Sequence, residues 1–349
     1  MWNFCEIRAY SFLLIFAENN LLLNKRTPII VIAGAGSIGT ALGNTLTKAG
    51  HQVTLHTIEE HVAESINKEH VNPDYFPNSP LHPELKASVE ISVLNEAKLL
   101  FLAIPSIITV DFVLQNKDHI ADNVLLINLA KGFGCGKMTI TACLEKMIGN
   151  PLCTMKGPTF AREIMNTNPT AMTFAARDET HFGMIGDLFE ETPIFLDFTT
   201  DVEGVEYLSI LKNIYAIILG IVDANFDSPN LRFLILTRAF DEMRRIMTGL
   251  GGNESSMFRY CGYGDFSLTA LNDLSRNRTL GLLIGKGFFT RDISDNVVLE
   301  GKMAVSTFCE MILENSASDE YPLIFELHKI FNNNYDLSSF VGNILKFAR

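Results

Sequence analysis

A chain of 349 residues with 47% hydrophobic and 19% charged content is long enough for one large core or two ordinary ones, and is unlike a disordered or fibrous composition. The formal net charge is −12, with no run of Lys or Arg. That excludes the basic patch by which a nucleic acid or an anionic membrane surface is bound through counterion release. An anionic small molecule would then be held by a few cations placed locally.

The six cysteines, Cys5, Cys135, Cys143, Cys153, Cys261 and Cys309, are scattered without a CxxC pair. This spacing points to buried thiols in a reducing cytoplasm rather than to a disulfide frame or a zinc site. The eight histidines have no HExxH-like spacing, so no metal is expected.

Residues 9–17 form an apolar run too short to span a bilayer, and no stable membrane insertion is expected. Residues 1–27 are read as an extension outside the fold, either a leader or the product of a start codon placed too early. From Pro28 onward apolar strands alternate with helices. Strands are expected at 29–33, 52–57, 99–104, 124–128, 152–155, 171–176 and 194–198. The first helix is expected over 38–49, stopped by Gly50 just past its end. Alternation of this kind predicts an α/β fold with a doubly wound parallel sheet over 28–202.

The character changes after residue 202. Residues 204–224 read as a long, buried helix. Residues 230–250 carry Leu236, Phe240, Met243, Met247 and Leu250 at helical spacing, with Asp241/Arg245 and Arg238/Glu242 as i,i+4 pairs. No strand follows, so 203–349 is expected to be all-helical. No internal repeat or low-complexity linker separates the two halves.

Gly34-Ala35-Gly36-Ser37-Ile38-Gly39 is a GxGxxG that follows a strand and opens a helix. In that context the pattern predicts a Rossmann-type dinucleotide site. Gly34 permits the tight turn, Gly36 admits a pyrophosphate, and Gly39 lets helix and strand pack. The helix N-terminus supplies free N–H groups and a favourable dipole. Glu59 and Glu60 stand after the second strand, where an acid accepts from an adenosine ribose 2′-OH. No Arg lies between Arg26 and Arg162 to meet a 2′-phosphate, so NAD is favoured weakly over NADP. Glu59 and Glu60 read equally well as the start of a solvated helix.

Three further segments should emerge at the carboxyl edge of the sheet, where ligands bind. They are Ile104-Pro105-Ser106, Lys131-Gly132 and Gly157-Pro158-Thr159-Phe160-Ala161. Lys212 interrupts the apolar stretch 208–222, with Asn213 beside it. A lysine buried there should have a pKa pulled from about 10.4 toward neutrality, which suits general acid–base work. The alternative is a lysine whose head reaches water along its own stem. Between Gly264 and Arg278, one continuous helix would put Asp265, Thr269, Asn272 and Arg276 on one face. A break at Ser275 would instead make that residue an N-cap, with Arg276 and free N–H groups forming a phosphate site.

The chain resembles the bacterial and eukaryotic cytosolic glycerol-3-phosphate dehydrogenases from about Ile29 to at least Gly301. The matching stretches are GAGSIGTAL (34–42), AIPS (103–106), AKGFG (130–134), GPTFAREIMNTNPTA (157–171), GVEYLSILKNIYAI (204–217), TRAFDEMRRI (237–246), GYGDFSLTALNDLSRNR (262–278) and VLEG (298–301). The resemblance implies that Lys212 accepts a proton in oxidation and donates it in reduction. It implies a substrate site of Lys131, Gly157, Thr159, Asp265, Ser275, Arg276 and Asn277, with Arg276 on the phosphate. It implies a cofactor site of Gly34, Gly36, Ser37, Ile38, Gly39, Glu59, Ser106, Lys131, Ala161, Arg276, Val298 and Glu300. A cytoplasmic homodimer that reduces the ketone for glycerophospholipid synthesis is the further implication.

The chain departs from the family where His56-Thr57-Ile58 replaces a Trp-x-Arg, where Ile38 replaces an aromatic residue, and where 257–261 replaces a glycine-rich run. The missing Arg serves the 2′-phosphate in NADPH-preferring members. Two other readings stay open at this point. One is a related two-domain dehydrogenase of another hydroxy acid; the other is a paralogue that binds dinucleotide without catalysis.

Overall fold

The computed structural model describes residues 28–288, 295–314, 316–332 and 337–346, without the side chains of 295–298 and 338. The extension 1–27, with Cys5, lies outside the described residues. Strand β1 (Ile30–Ala33) is apolar and buried throughout because it has a strand on each side and helices on both faces. It pairs in parallel with β2 (Val53–His56) and β4 (Leu99–Leu102). Between them in the chain run α1 (Ser37–Lys48), α2 (Glu60–Glu69) and a short edge strand β3 (Lys86–Ser88). Gly50 takes φ +88° just past α1, the left-handed stop expected of it.

Helix α3 (Ser106–Gln115) leads to β5 (Leu125–Asn128), and α4 (Ile140–Glu145) to β6 (Leu152–Lys156). The single turn α5 (Ala161–Met165), β7 (Thr170–Ala176), α6 (Thr180–Phe189) and β8 (Ile194–Thr199) follow. The sheet order is β3-β2-β1-β4-β5-β6-β7-β8. It is mostly parallel, as the doubly wound reading expects, with β7 antiparallel to β6. A helix as short as α5 rises only about 7–8 Å, less than half of a strand of similar residue count at about 17 Å. The chain therefore turns back at the edge where β6 ended. That keeps residues 157–161 at the site.

Two apolar clusters cover the two faces of the sheet. A third is built around α7 (Val202–Asn225), which is buried on every side over most of its length. Helix α7 has the length and composition to cross a membrane, but 94% of its most apolar window is buried inside the protein. Around it pack α8 (Pro229–Gly249), α9 (Asp265–Leu271), α10 (Arg276–Gly285), α11 (Asp295–Leu313) and α12 (Pro322–Asn332), and α13 (Leu337–Lys346) packs on α12. Among the described residues no strand follows β8. Helix α10 lies in near backbone contact with α7, because a Cβ on Gly281 would stand 2.1 Å from the Ile217 carbonyl oxygen.

Two local expectations change. Cys135 and Cys143 are joined as a disulfide, whereas Cys153, Cys261 and Cys309 are buried thiols. The bridge of Phe133 to Thr139 folds the intervening loop back and sets the two cysteine Cα atoms 5.8 Å apart, within bonding geometry. On α8, Asp241 pairs with Arg245 at 3.1 Å as expected. Glu242 instead faces inward, accepting from the Tyr215 hydroxyl at 2.9 Å and from the N–H groups of Leu323 and Ile324 at 3.2 and 2.9 Å.

Candidate active site

At the glycine turn, Gly34 has φ +109°, and a Cβ there would meet the Ala103 carbonyl oxygen at 2.7 Å. Gly39 has no room either: its Cβ would stand 2.0 Å from the Gly34 carbonyl oxygen. Gly36 is different. A Cβ on it would find nothing nearer than the Tyr75 ring at 4.0 Å, so space is open in front of it. Helix α1 begins there without a side-chain cap and without an acid in its first turn. Exposed Ser37 and half-buried Ile38 stand at that end. Unsatisfied N–H groups facing open space fit a pyrophosphate.

Asn72 holds this turn from outside. Its side chain donates to the Ala35 carbonyl and to Thr40 Oγ1, both at 2.8 Å, and accepts from the N–H groups of Asp74 and Tyr75. Sequence reasoning did not single out Asn72, because an Asn before a Pro reads as an ordinary turn residue. Glu59 precedes α2 and is exposed. Its carboxylate accepts a short hydrogen bond from Thr57 Oγ1.

The carboxyl edges of β4 and β5 meet the helical half at several places. At the first, Ser106 Oγ donates to Glu300 Oε1 at 3.3 Å. Gly132 lies against the same serine: a Cβ would stand 2.3 Å from Ser106 Oγ. A side chain at the position beside Lys131 would therefore strike Ser106. Val298 lies on α11, and its side chain falls outside the described ones.

At the second, Asp265 Oδ1 accepts from Lys212 Nζ at 2.6 Å and Asp265 Oδ2 from Lys131 Nζ at 3.1 Å. Lys212 also donates to Thr269 Oγ1 at 2.9 Å. Three elements distant in sequence thus supply one cluster. Lys212 is 5% exposed and Asp265 1%, so the amine is not in bulk water. Burial pulls the Lys212 pKa down to about 7; the Asp265 charge opposes this, and the Lys131 charge adds to it. An amine so placed exchanges a proton near neutrality.

The chain breaks at Asn272, and Ser275 caps α10, accepting from the Arg278 N–H at 3.3 Å. This settles the choice between one helix and two. Arg278 is buried and ion-paired with Asp223 and Asp273. Arg276 is exposed at the first turn of α10, with no ion-pair partner among the described residues, and Asn277 is half-buried beside it. Helices α7 and α10 run in the same direction, with Gly281 against Ile217 and Gly220, and Gly285 against Ile221 and Ala224.

Gly157 and Thr159 lie where β6 gives way to β7. A Cβ on Gly157 would strike the Ala171 carbonyl oxygen at 2.5 Å, and Thr159 Oγ1 donates to the Gly157 carbonyl at 3.2 Å. Pro158 stands under Gly264, next to Asp265. Ala161 opens α5. Behind Lys131, buried Asn128 donates to Glu206 of α7 and accepts from the Ala130 N–H at 2.9 Å. Glu206 also accepts from the N–H and hydroxyl of Thr141 at 3.1 and 2.7 Å. Sequence reasoning missed Asn128, Lys156 and Glu206. Each stands at the end of an apolar run or among other polar residues, and only long-range packing shows them to be buried.

The family model described as the N-terminus of NAD-dependent glycerol-3-phosphate dehydrogenase matches residues 29–182, and the C-terminal model matches residues 201–342. A curated glycerol-3-phosphate dehydrogenase [NAD(P)+] from Desulfovibrio desulfuricans is 34% identical over 81% of this chain and 86% of its own length. One from Teredinibacter turnerae is 30% identical over 91% of this chain and 95% of its own length. Among solved structures, a glycerol-3-phosphate dehydrogenase from Coxiella burnetii superposes with a TM-score of 0.84 at 27% identity. The match covers 92% of this chain and 99% of that one.

Proposed function

The chain belongs to the NAD-dependent glycerol-3-phosphate dehydrogenase family, and on that premise we propose that it interconverts sn-glycerol 3-phosphate and dihydroxyacetone phosphate with NAD(P). The observation that carries this reading is the buried amine of Lys212, 2.6 Å from Asp265 and sharing that carboxylate with Lys131. A bound nicotinamide supplies or accepts the hydride at C2 of the substrate. In oxidation the neutral Lys212 amine takes the proton of the C2 hydroxyl. In reduction the Lys212 ammonium returns that proton to the carbonyl oxygen as C2 gains hydride. Asp265 and Thr269 hold Nζ in place, and the Lys131 ammonium stabilises negative charge on the substrate oxygens. Arg276, Asn277 and the N-terminus of α10 hold the phosphate.

On the cofactor side, Gly34, Gly36, Ser37, Ile38 and Gly39 take the pyrophosphate, and Glu59 the ribose. Ser106, Ala161, Val298 and Glu300 line the remainder. Residues 28–202 are the dinucleotide-binding half and 203–349 the substrate half. An exposed acid at 59, with no arginine beside it, favours NAD over NADP. The retained set Lys131, Lys212, Asp265 and Arg276 supports a working enzyme over a dinucleotide sensor, which needs no acid–base lysine. The cellular setting proposed is a cytoplasmic homodimer working in the reductive direction to supply glycerophospholipid synthesis.

The test is loss of NADH absorbance with dihydroxyacetone phosphate, alongside NADPH. Turnover with NADH, and weaker use of NADPH, is expected. Lys212→Ala should lower kcat by about 10²-fold or more; near-normal turnover in that variant would remove the assignment.

A further inference from the structure

We propose that Lys156 is a positioning residue of this site, a second buried lysine that holds the root of the Lys131 loop in place from beneath and acts on the Asp265 carboxylate through its charge. The inference rests on the reaction proposed above. Lys156 is the last residue of β6 and has no exposed surface. Its Nζ donates to the Asn128 carbonyl at 2.8 Å, on the last residue of β5. The same carbonyl accepts from Thr154 Oγ1 at 3.1 Å. The Asn128 side chain clamps the next turn by accepting from the Ala130 N–H and donating to Glu206. One residue further along is Lys131. Lys156 thus tethers the root of the loop whose tip meets Asp265.

Charges on three other segments of the chain act on Lys156. The carboxylates of Glu206 on α7 and Asp265 on α9 favour its ammonium, and the Lys131 charge in the loop after β5 opposes it. The Cys261 thiol, pushed up to about 12 by burial, is uncharged near neutrality and adds no charge to the set. Lys212 joins the set through its shared hold on Asp265. Two carboxylates are therefore interleaved with three lysines. A fully buried ammonium with a single carbonyl acceptor is costly, and a methionine of similar shape would fill the space without the desolvation penalty. A structural tether to one carbonyl needs no charge. A charge placed there adds repulsion at the lysines and attraction at Asp265, and so tunes the proton affinity of the cluster. Burial brings the Lys156 pKa down to about 7, so this contribution itself fades as pH rises.

The test compares the wild-type protein with Lys156→Met and Lys156→Gln. The Gln variant retains a donor for the Asn128 carbonyl but not the charge, and it decides the matter if the Met variant does not fold. For Lys156→Met, KM for dihydroxyacetone phosphate should rise about tenfold through the loosened Lys131 loop, with kcat changed less than about threefold. The Lys212 midpoint, followed by side-chain nitrogen NMR on lysine-labelled protein without substrate, should move up by roughly half a unit or more. Tm should hold or rise. In Lys156→Gln the midpoint should move while KM rises less. An unmoved midpoint, or a fall in Tm with KM unchanged, would make Lys156 a structural residue and overturn the proposal. Because the NMR titration needs no substrate, it stands apart from the assay: wild-type protein inactive on dihydroxyacetone phosphate would fail the functional reading, whereas an unmoved midpoint would fail this one.

Discussion

At the scale of single residues, the site is a contest between burial and charge. Lys212 sits where desolvation outweighs the attraction of Asp265, so its amine loses a proton near pH 7 rather than far above it. The two directions of the reaction need opposite forms of that amine. Oxidation of the alcohol requires the free base, so its rate should rise as pH passes through about 7 and then level. Reduction of the ketone requires the ammonium, so its rate should fall above about 7. Initial rates in both directions across pH 5.5 to 9 check this: two profiles of the same sign would mean that Lys212 is not the exchanging group. The two arginines of 275–278 show how far position decides role. Arg278 is buried against Asp223, whereas Arg276, two residues earlier, is exposed on the first turn of α10.

At the scale of elements, close backbone approach does what side chains cannot. Helices α7 and α10 touch through Gly220, Gly281 and Gly285, which brings their two backbones together. A methyl group on Gly281 would overlap the Ile217 carbonyl, so the two backbones would have to move apart. Gly281→Ala should cost about 1–3 kcal/mol of stability and raise KM for the phosphate substrate, as α10 is pushed off α7. Denaturant titration together with steady-state kinetics checks it; unchanged stability and KM would mean that the helix pair has slack. The turn from β6 to β7 teaches the same lesson. Because α5 is one turn long, the chain reverses at the site edge, and Gly157-Pro158 ends up under Gly264.

For the whole molecule, the α/β half and the helical half are joined by polar bonds that cross between them, Asn128 to Glu206 and Lys131 to Asp265, and by Ser106 to Glu300. The buried bond of Asn128 to Glu206 and the ion pair of Lys131 with buried Asp265 couple the halves more strongly than an apolar contact that can slide. Unfolding should therefore be a single transition. NADH at about 100 times its Kd should stabilise the folded state by about 2.7 kcal/mol and move that transition as a unit. Calorimetry checks this: two transitions, with only one responding to NADH, would show halves that unfold independently.

What is legible from the sequence is what local chemistry dictates. The glycine turn is readable because Gly34 and Gly39 answer constraints set by residues within a few positions or in the adjoining strand. Lys212 is readable because a cation in an apolar helix breaks the pattern around it. The helix stop at Gly50 is readable for the same local reason. The tertiary structure alone decides the rest. Lys156 ends a strand just as surface lysines do, and only the closure of β5, β7 and α7 around it removes the water. Glu242 reads as half of a surface pair until α12 arrives over it. Cys135 and Cys143 become neighbours only once the loop folds back. Burial depends on what covers a residue, and for these side chains the cover comes from elements distant in the chain.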